Sequence, residues 1–189
     1  MKHLNLILII LILSCCPLHP AYAFFDKDIR LLTMRDGLAD NTIPCIYKDE
    51  DGFMWFGTDD GLSRYDGKTI QNFKPADTYA SVAAIVRLSD DFLGIVFDGY
   101  LYYFNRKQET FLPIHTESDT AIGVFNVLPA DDSSFWGISG NRLILCQWEI
   151  RQGKEEEKTA VRVRIQKTFQ LLEEKGEVFS SLCYHEKAG

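Results

Sequence analysis

The chain has 189 residues and a net charge of −7, with no basic stripe that would suit a nucleic-acid partner. Its length is enough for one domain with a sizeable core. Beyond the N-terminal segment the cysteines are Cys45, Cys146 and Cys183. They are odd in number, widely spaced and set among apolar or aromatic neighbours, so they read as small buried hydrophobes, not as a disulfide framework or a zinc site.

The chain opens Met1-Lys2-His3 and continues L-N-L-I-L-I-I-L-I-L, apolar except for Asn5, up to Ala21-Tyr22-Ala23. A short basic start, an apolar run of about 10 residues and a small-x-small end predict a secretory signal peptide cleaved after Ala23, and so a periplasmic location. A membrane helix needs roughly 20 apolar residues, and Pro17 and Pro20 interrupt any extension. A lipoprotein reading through Cys15 or Cys16 fits less well, because Leu13 is bulky where a small residue is usual. No later apolar run approaches spanning length, so no membrane span is expected after the signal.

The rest lacks helical periodicity. Short runs of Ile, Val, Phe, Tyr and Trp alternate with Gly, Asp, Asn and Ser, which predicts an all-β domain with tight turns. The expected strands are Ile29–Thr33, Ile43–Lys48, Met54–Thr58, Leu62–Tyr65, Ile70–Lys74, Val82–Leu88 and Phe92–Val96. They continue with Tyr100–Phe104, Thr110–Ile114, Val124–Pro129, Phe135–Ser139, Arg142–Ile150, Ala160–Leu171 and Val178–Tyr184.

Spacing organises these runs. Shifted by about 39 residues, Phe53 falls on Phe92, Leu62 on Leu101 and Tyr65 on Phe104; shifted by about 81, Trp55 falls on Trp136 and Leu62 on Leu143. Four strands per period of about 40 residues is what a β-propeller blade requires. Within the first copy, Phe53, Trp55 and Gly57 should point to one face, and Met54, Phe56 and Thr58 to the other. Both faces are apolar until Thr58, as expected of a sheet packed on both sides. Gly57 should allow two backbones to approach, and Gly61 should turn a hairpin at positive φ. Leu62 and Tyr65 belong to the third strand, and Asp66-Gly67 turns into the fourth.

The segments Gly37-Leu38-Ala39-Asp40-Asn41-Thr42-Ile43, Asp51-Gly52-Phe53-Met54-Trp55-Phe56-Gly57-Thr58 and Asp60-Gly61-Leu62-Ser63-Arg64-Tyr65-Asp66-Gly67 closely resemble the two-component regulator propeller repeat. The resemblance is strong from Arg35 to Phe73 and continues to about Leu172 only by period. It implies the N-terminal part of a periplasmic sensor from a hybrid two-component histidine kinase. It also implies an oligosaccharide ligand released from a complex glycan.

The expected organisation is therefore a signal peptide (1–23), a lead-in with a ring-closing strand (24–42) and an incomplete β-propeller (43–189). The propeller has about three and a half four-stranded antiparallel blades, at 43–73, 82–114 and 124–171, with a fourth begun at 178. Because four to eight blades usually close a ring, this reading predicts a fragment. Its blade faces and strand edges would be exposed, and its natural partners would be the remaining blades and the downstream sensor domains.

Ligand chemistry is expected on the loops Pro75–Ser81, His115–Gly123, Asp59–Gly61 and Phe97–Gly99. Tyr79 and His115 could stack on a sugar or donate to it, and Asp77 and Asp119 could accept from hydroxyls. Solvated loop chemistry accounts for the same residues. The run R-Q-G-K-E-E-E-K over 151–158 reads as a solvated hairpin loop, with docking of a second propeller as the alternative. Arg162 and Arg164 alternate with valines and are expected to face water on an edge strand. Asp49-Glu50-Asp51-Gly52 lacks the spacing and closing Glu of a calcium loop and reads as a turn. No nucleophile elbow, zinc-protease helix or phosphate loop is present, so no cofactor, metal or catalytic residue is assigned. The alternatives to a sensor fragment are a piece of a secreted propeller enzyme, a lyase or glycosidase, and the non-functional product of a truncated gene.

Overall fold

A computed structural model describes residues 29–75, 81–151 and 160–171. The expected signal with Ala23, the loop residues Asp77 and Tyr79, and the expected strand Val178–Tyr184 lie outside the described residues. The chain divides between Leu31 and Leu32, and everything below concerns the second unit unless stated.

Thirteen strands are described, in three sheets. Sheet 1 holds β1 (Cys45–Lys48), β2 (Met54–Thr58), β3 (Gly61–Tyr65) and β4 (Ile70–Phe73). Sheet 2 holds β5 (Val82–Arg87), β6 (Phe92–Phe97), β7 (Tyr100–Asn105) and β8 (Thr110–Pro113). Both are antiparallel meanders in sequence order. Sheet 3 holds β10 (Asn126–Asp131), β11 (Ser134–Ser139), β12 (Arg142–Arg151) and β13 (Ala160–Gln170). A short strand β9 (His115–Thr116) from the preceding connection is added beside β13.

The architecture is that of an incomplete propeller, with two departures from the expectation. Sheet 3 has five strands, and its β9–β13 pair is parallel, pairing His115 with Arg162 and Thr116 with Val163. At 29–33 no strand forms. Thr33 instead caps a 3-10 turn at Met34–Asp36: its hydroxyl oxygen accepts from Arg35 N–H, while Asp36 accepts from Thr33 N–H at 2.9 Å. These local bonds take up the Thr33 N–H and hydroxyl at the end of the segment. Gly37, at φ 111°, then redirects the chain.

The sheets stack through two apolar layers. Trp55, Leu62 and Phe73 of sheet 1 pack with Val82, Leu93, Ile95 and Phe104 of sheet 2. The other side of sheet 2, including Val86, Val96, Leu101 and Tyr103, packs on Phe135, Ile144, Cys146 and Trp148 of sheet 3. Gly57 sits at a close approach of sheets 1 and 2. A Cβ there would lie 2.6 Å from Val82 Cγ1 and 2.8 Å from the Val82 carbonyl oxygen. Only a residue without a side chain allows that approach. Gly61 turns the β2–β3 hairpin at φ 112°, and its Cβ would meet the Phe73 carbonyl oxygen at 2.7 Å.

Candidate functional site

The repeat motif is built for packing and turns. Trp55 is fully buried, packs at a tilt against Phe73 and edge-to-face against Phe104, and donates its indole N–H to Asp49 at 2.7 Å. Leu62 is fully buried beside it. The Tyr65 hydroxyl donates to the Gly67 carbonyl at 2.6 Å. Asp66 accepts from the N–H groups of Lys68 and Thr69 and from the Thr69 hydroxyl. Those donors, led by Thr69 N–H, pull the Asp66 carboxyl down to about 2. The lead-in Gly37–Thr42 lies on the other face of sheet 1. Leu38 is buried, Ala39 N–H donates to Ser63 Oγ at 3.1 Å, and Asn72 donates to the Gly37 carbonyl at 2.8 Å.

The expected binding loops meet in part. Ser81 joins two of them: its N–H donates to Asp98 at 3.1 Å and its hydroxyl to Asp59 at 3.0 Å. Asp60 beside them pairs with Lys74. Asp77 and Tyr79 fall outside the described residues of the same connection.

His115 and Asp119 come together, with Nδ1 and Oδ1 3.0 Å apart. Asp119 sits at φ 61° in a tight turn whose Thr116 N–H donates to the Thr120 carbonyl at 2.9 Å. Arg162 on β13 completes the cluster, donating to Asp119 at 2.8 Å and to the Thr116 carbonyl at 3.1 Å. The Arg162 guanidinium first and His115 second hold the Asp119 carboxyl below the usual range. Two residues along, Arg164 donates to Glu117 through Nε at 3.0 Å and holds that carboxyl low as well.

Arg162 and Arg164, expected to face water on an edge, tie the inter-sheet connection to sheet 3; Arg164 is exposed as expected, while Arg162 is largely covered. The valine alternation placed both on one face, but the acidic and hydroxyl-rich turn that faces them comes from another part of the chain. A cavity of about 120 Å³ opens there, lined by Glu117, Gln147, Trp148, Glu149, Arg162 and Arg164. Trp148 forms its apolar wall and donates its own N–H to the Leu88 carbonyl at 3.1 Å. An aromatic wall ringed by guanidinium donors and carboxylate acceptors suits a small hydroxyl-bearing ligand.

At the opposite end of the strands, Arg106 reaches from the β7–β8 turn to Asp49 and Asp51 at 2.9 and 2.5 Å. It also donates to the Asp90 carbonyl at 2.7 Å. Asp49 is buried and additionally accepts from Phe53 N–H at 2.8 Å. A charged cleft of about 220 Å³ adjoins this pair, with Tyr47, Glu50, Arg87 and Asp90 on its walls. Among the described residues no group of His, Cys, Asp and Glu is arranged to hold a metal ion. No helix among them is long and apolar enough to cross a membrane.

Comparison with known proteins agrees with this geometry at the level of the repeat. The family described as two component regulator propeller matches residues 37–60. Among solved structures, the extracellular domain of the hybrid two component system BT3049 from B. thetaiotaomicron superposes with a TM-score of 0.52 at 16% identity. That superposition covers 62% of this chain and 18% of the other. The extracellular domain of the hybrid two component system BT4673, from the same organism, superposes with a TM-score of 0.39 at 13% identity, covering 76% of this chain and 28% of the other. The chain spans less than a third of the length of these domains, and the first likeness speaks of fold alone. No curated protein matches the chain.

Proposed function

We propose that this chain, which carries a two component regulator propeller repeat at residues 37–60, is part of the extracellular sensor of a hybrid two-component signalling protein. The repeat carries this reading. Its residues are spent on packing and turn geometry. Ligand recognition fits the chemistry better than turnover does. The ligand class we assign is a glycan-derived oligosaccharide, read by the loops joining successive sheets. His115, Asp119 and Arg162 supply donors and acceptors there, and Asp77 and Tyr79 lie on the neighbouring connection. Binding would act by favouring one arrangement of the propeller and the domains that follow it. The location we assign is the periplasm, reached through the N-terminal signal.

The test is a transcriptional one. The parent strain and a strain lacking the coding sequence for residues 37–171 are exposed to a panel of purified oligosaccharides. Loss of the response to one glycan class is the expected result, matched by calorimetric binding of that class to the purified protein. Identical responses across the panel would refute the sensor reading. A lost response without carbohydrate binding would refute the ligand class alone.

A further inference from the structure

The β6–β7 hairpin turns on Asp98 and Gly99, both at positive φ (44° and 79°), so the chain reverses within two residues. The connection into sheet 3 is bonded back onto this turn. Tyr100 bridges Gly123, Val124 N–H donates to the Gly99 carbonyl at 2.7 Å, and Leu101 N–H donates to the Ile122 carbonyl at 3.1 Å. Leu101 and Val124 are buried by this pairing, whereas Tyr100 and Phe125 are each 52% exposed. The Phe125 ring lies against the turn, 3.8 Å from where a Cβ on Gly99 would stand. Backbone hydrogen bonds thus hold two half-exposed aromatic rings at one end of the stack, on a tight turn and on the segment paired with it. The His115–Asp119 turn lies on the same connection, with Ala121 bridging His115.

Toward sheet 1 the surface continues in polar groups. Exposed Asp98 commits Oδ1 to Ser81 N–H at 3.1 Å, and the Ser81 hydroxyl donates to Asp59 at 3.0 Å. Asp60, beside Asp59, pairs with Lys74. The strip therefore sets the carboxylates of Asp59, Asp60 and Asp98 against the single ammonium of Lys74. An apolar protein surface seated on the rings would strip water from Asp98 and give it no donor, which is costly. A sugar ring suits both parts, because its C–H face covers an aromatic ring while its hydroxyls donate to a carboxylate. A sugar carrying its own carboxylate or sulfate would be repelled by the same strip.

We infer that Tyr100 and Phe125 form a stacking platform for an uncharged sugar ring whose hydroxyls donate to Asp98. This rests on the oligosaccharide reading above and narrows it to neutral glycans. Neither ring belongs to the matched repeat at residues 37–60.

The experiment is isothermal calorimetry of the purified chain with hexasaccharide probes, the neutral ones from mannan, xylan and amylose and an anionic one from polygalacturonate. The wild type is expected to bind a neutral probe and to ignore the anionic one. Tyr100→Ala and Phe125→Ala should each weaken that binding about tenfold. Tyr100→Phe keeps the ring and should stay within about threefold of wild type, an outcome that loss of general structure would not give. If an alanine variant fails to fold, Tyr100→Leu and Phe125→Leu carry the same test, since leucine is apolar but has no flat face. Unchanged affinity in both ring variants overturns the platform and leaves the oligosaccharide reading standing. Binding of the anionic probe alone overturns the neutral class. A wild-type chain that binds none of the probes overturns this inference together with the ligand class on which it rests.

Discussion

Replacing Arg106 by Met isolates the charge pair that joins sheets 1 and 2 at one end. Met keeps most of the apolar stem and removes the guanidinium, so the loss is in polar bonds. Asp49, whose side chain is 2% exposed, loses one of three donors and keeps Phe53 N–H and the Trp55 indole. A charge-assisted hydrogen bond to a buried carboxylate contributes about 1.5–3 kcal/mol, and the lost bond to the Asp90 carbonyl adds about 1 kcal/mol. The bond to Asp51, whose side chain is 62% exposed, adds little because solvent screens it. The expected cost is about 3 kcal/mol, at the low end of the usual range for opening a buried pair because two donors remain. For a domain of this size that lowers Tm by roughly 6–12 °C. Urea unfolding of wild type, Arg106→Met, Asp49→Asn and the double variant gives the coupling directly. A single-variant cost below about 0.5 kcal/mol, or no coupling between the two positions, would refute the assignment of this pair as an inter-sheet clamp.

Three further outcomes are expected. Gly57→Ala should cost about 1–3 kcal/mol in chemical denaturation, because its Cβ meets Val82 backbone and side chain; a neutral result would mean the sheets separate freely there. In an NMR titration the Asp66 carboxyl should titrate near 2, set by its Thr69 and Lys68 donors. Because the folded value lies below the unfolded one, its contribution to stability is present above about pH 4 and fades as pH falls toward 2, and a midpoint near 4 would contradict the turn geometry. Burial pushes the Cys45 thiol up to about 11 and Cys146 to about 12, so both should resist alkylation at pH 8 in the native protein and react on unfolding. Rapid native labelling of either would show that its apolar layer is open.

The sequence by itself determined the sheets. Strand alternation, Gly-Asp turns and a period of about 40 residues are local or nearly local signals, and they suffice to place Gly57 at a close approach and Gly61 at positive φ. Tertiary structure decided what depends on residues distant in the chain. Arg106 shows no local sign that it will meet Asp49, nor Arg162 and Arg164 that they will meet Asp119 and Glu117, because the partners of each pair come from separate sheets or connections. The strand expected at 29–33 as a ring-closing strand does not form, and Thr33 and Asp36 cap a 3-10 turn at its end instead. The β9 strand likewise pairs across space, in parallel with β13. Period and pattern act through neighbours in the chain and so are written along it. Charge pairing and edge pairing act through space, and only the stacked sheets bring those groups within reach.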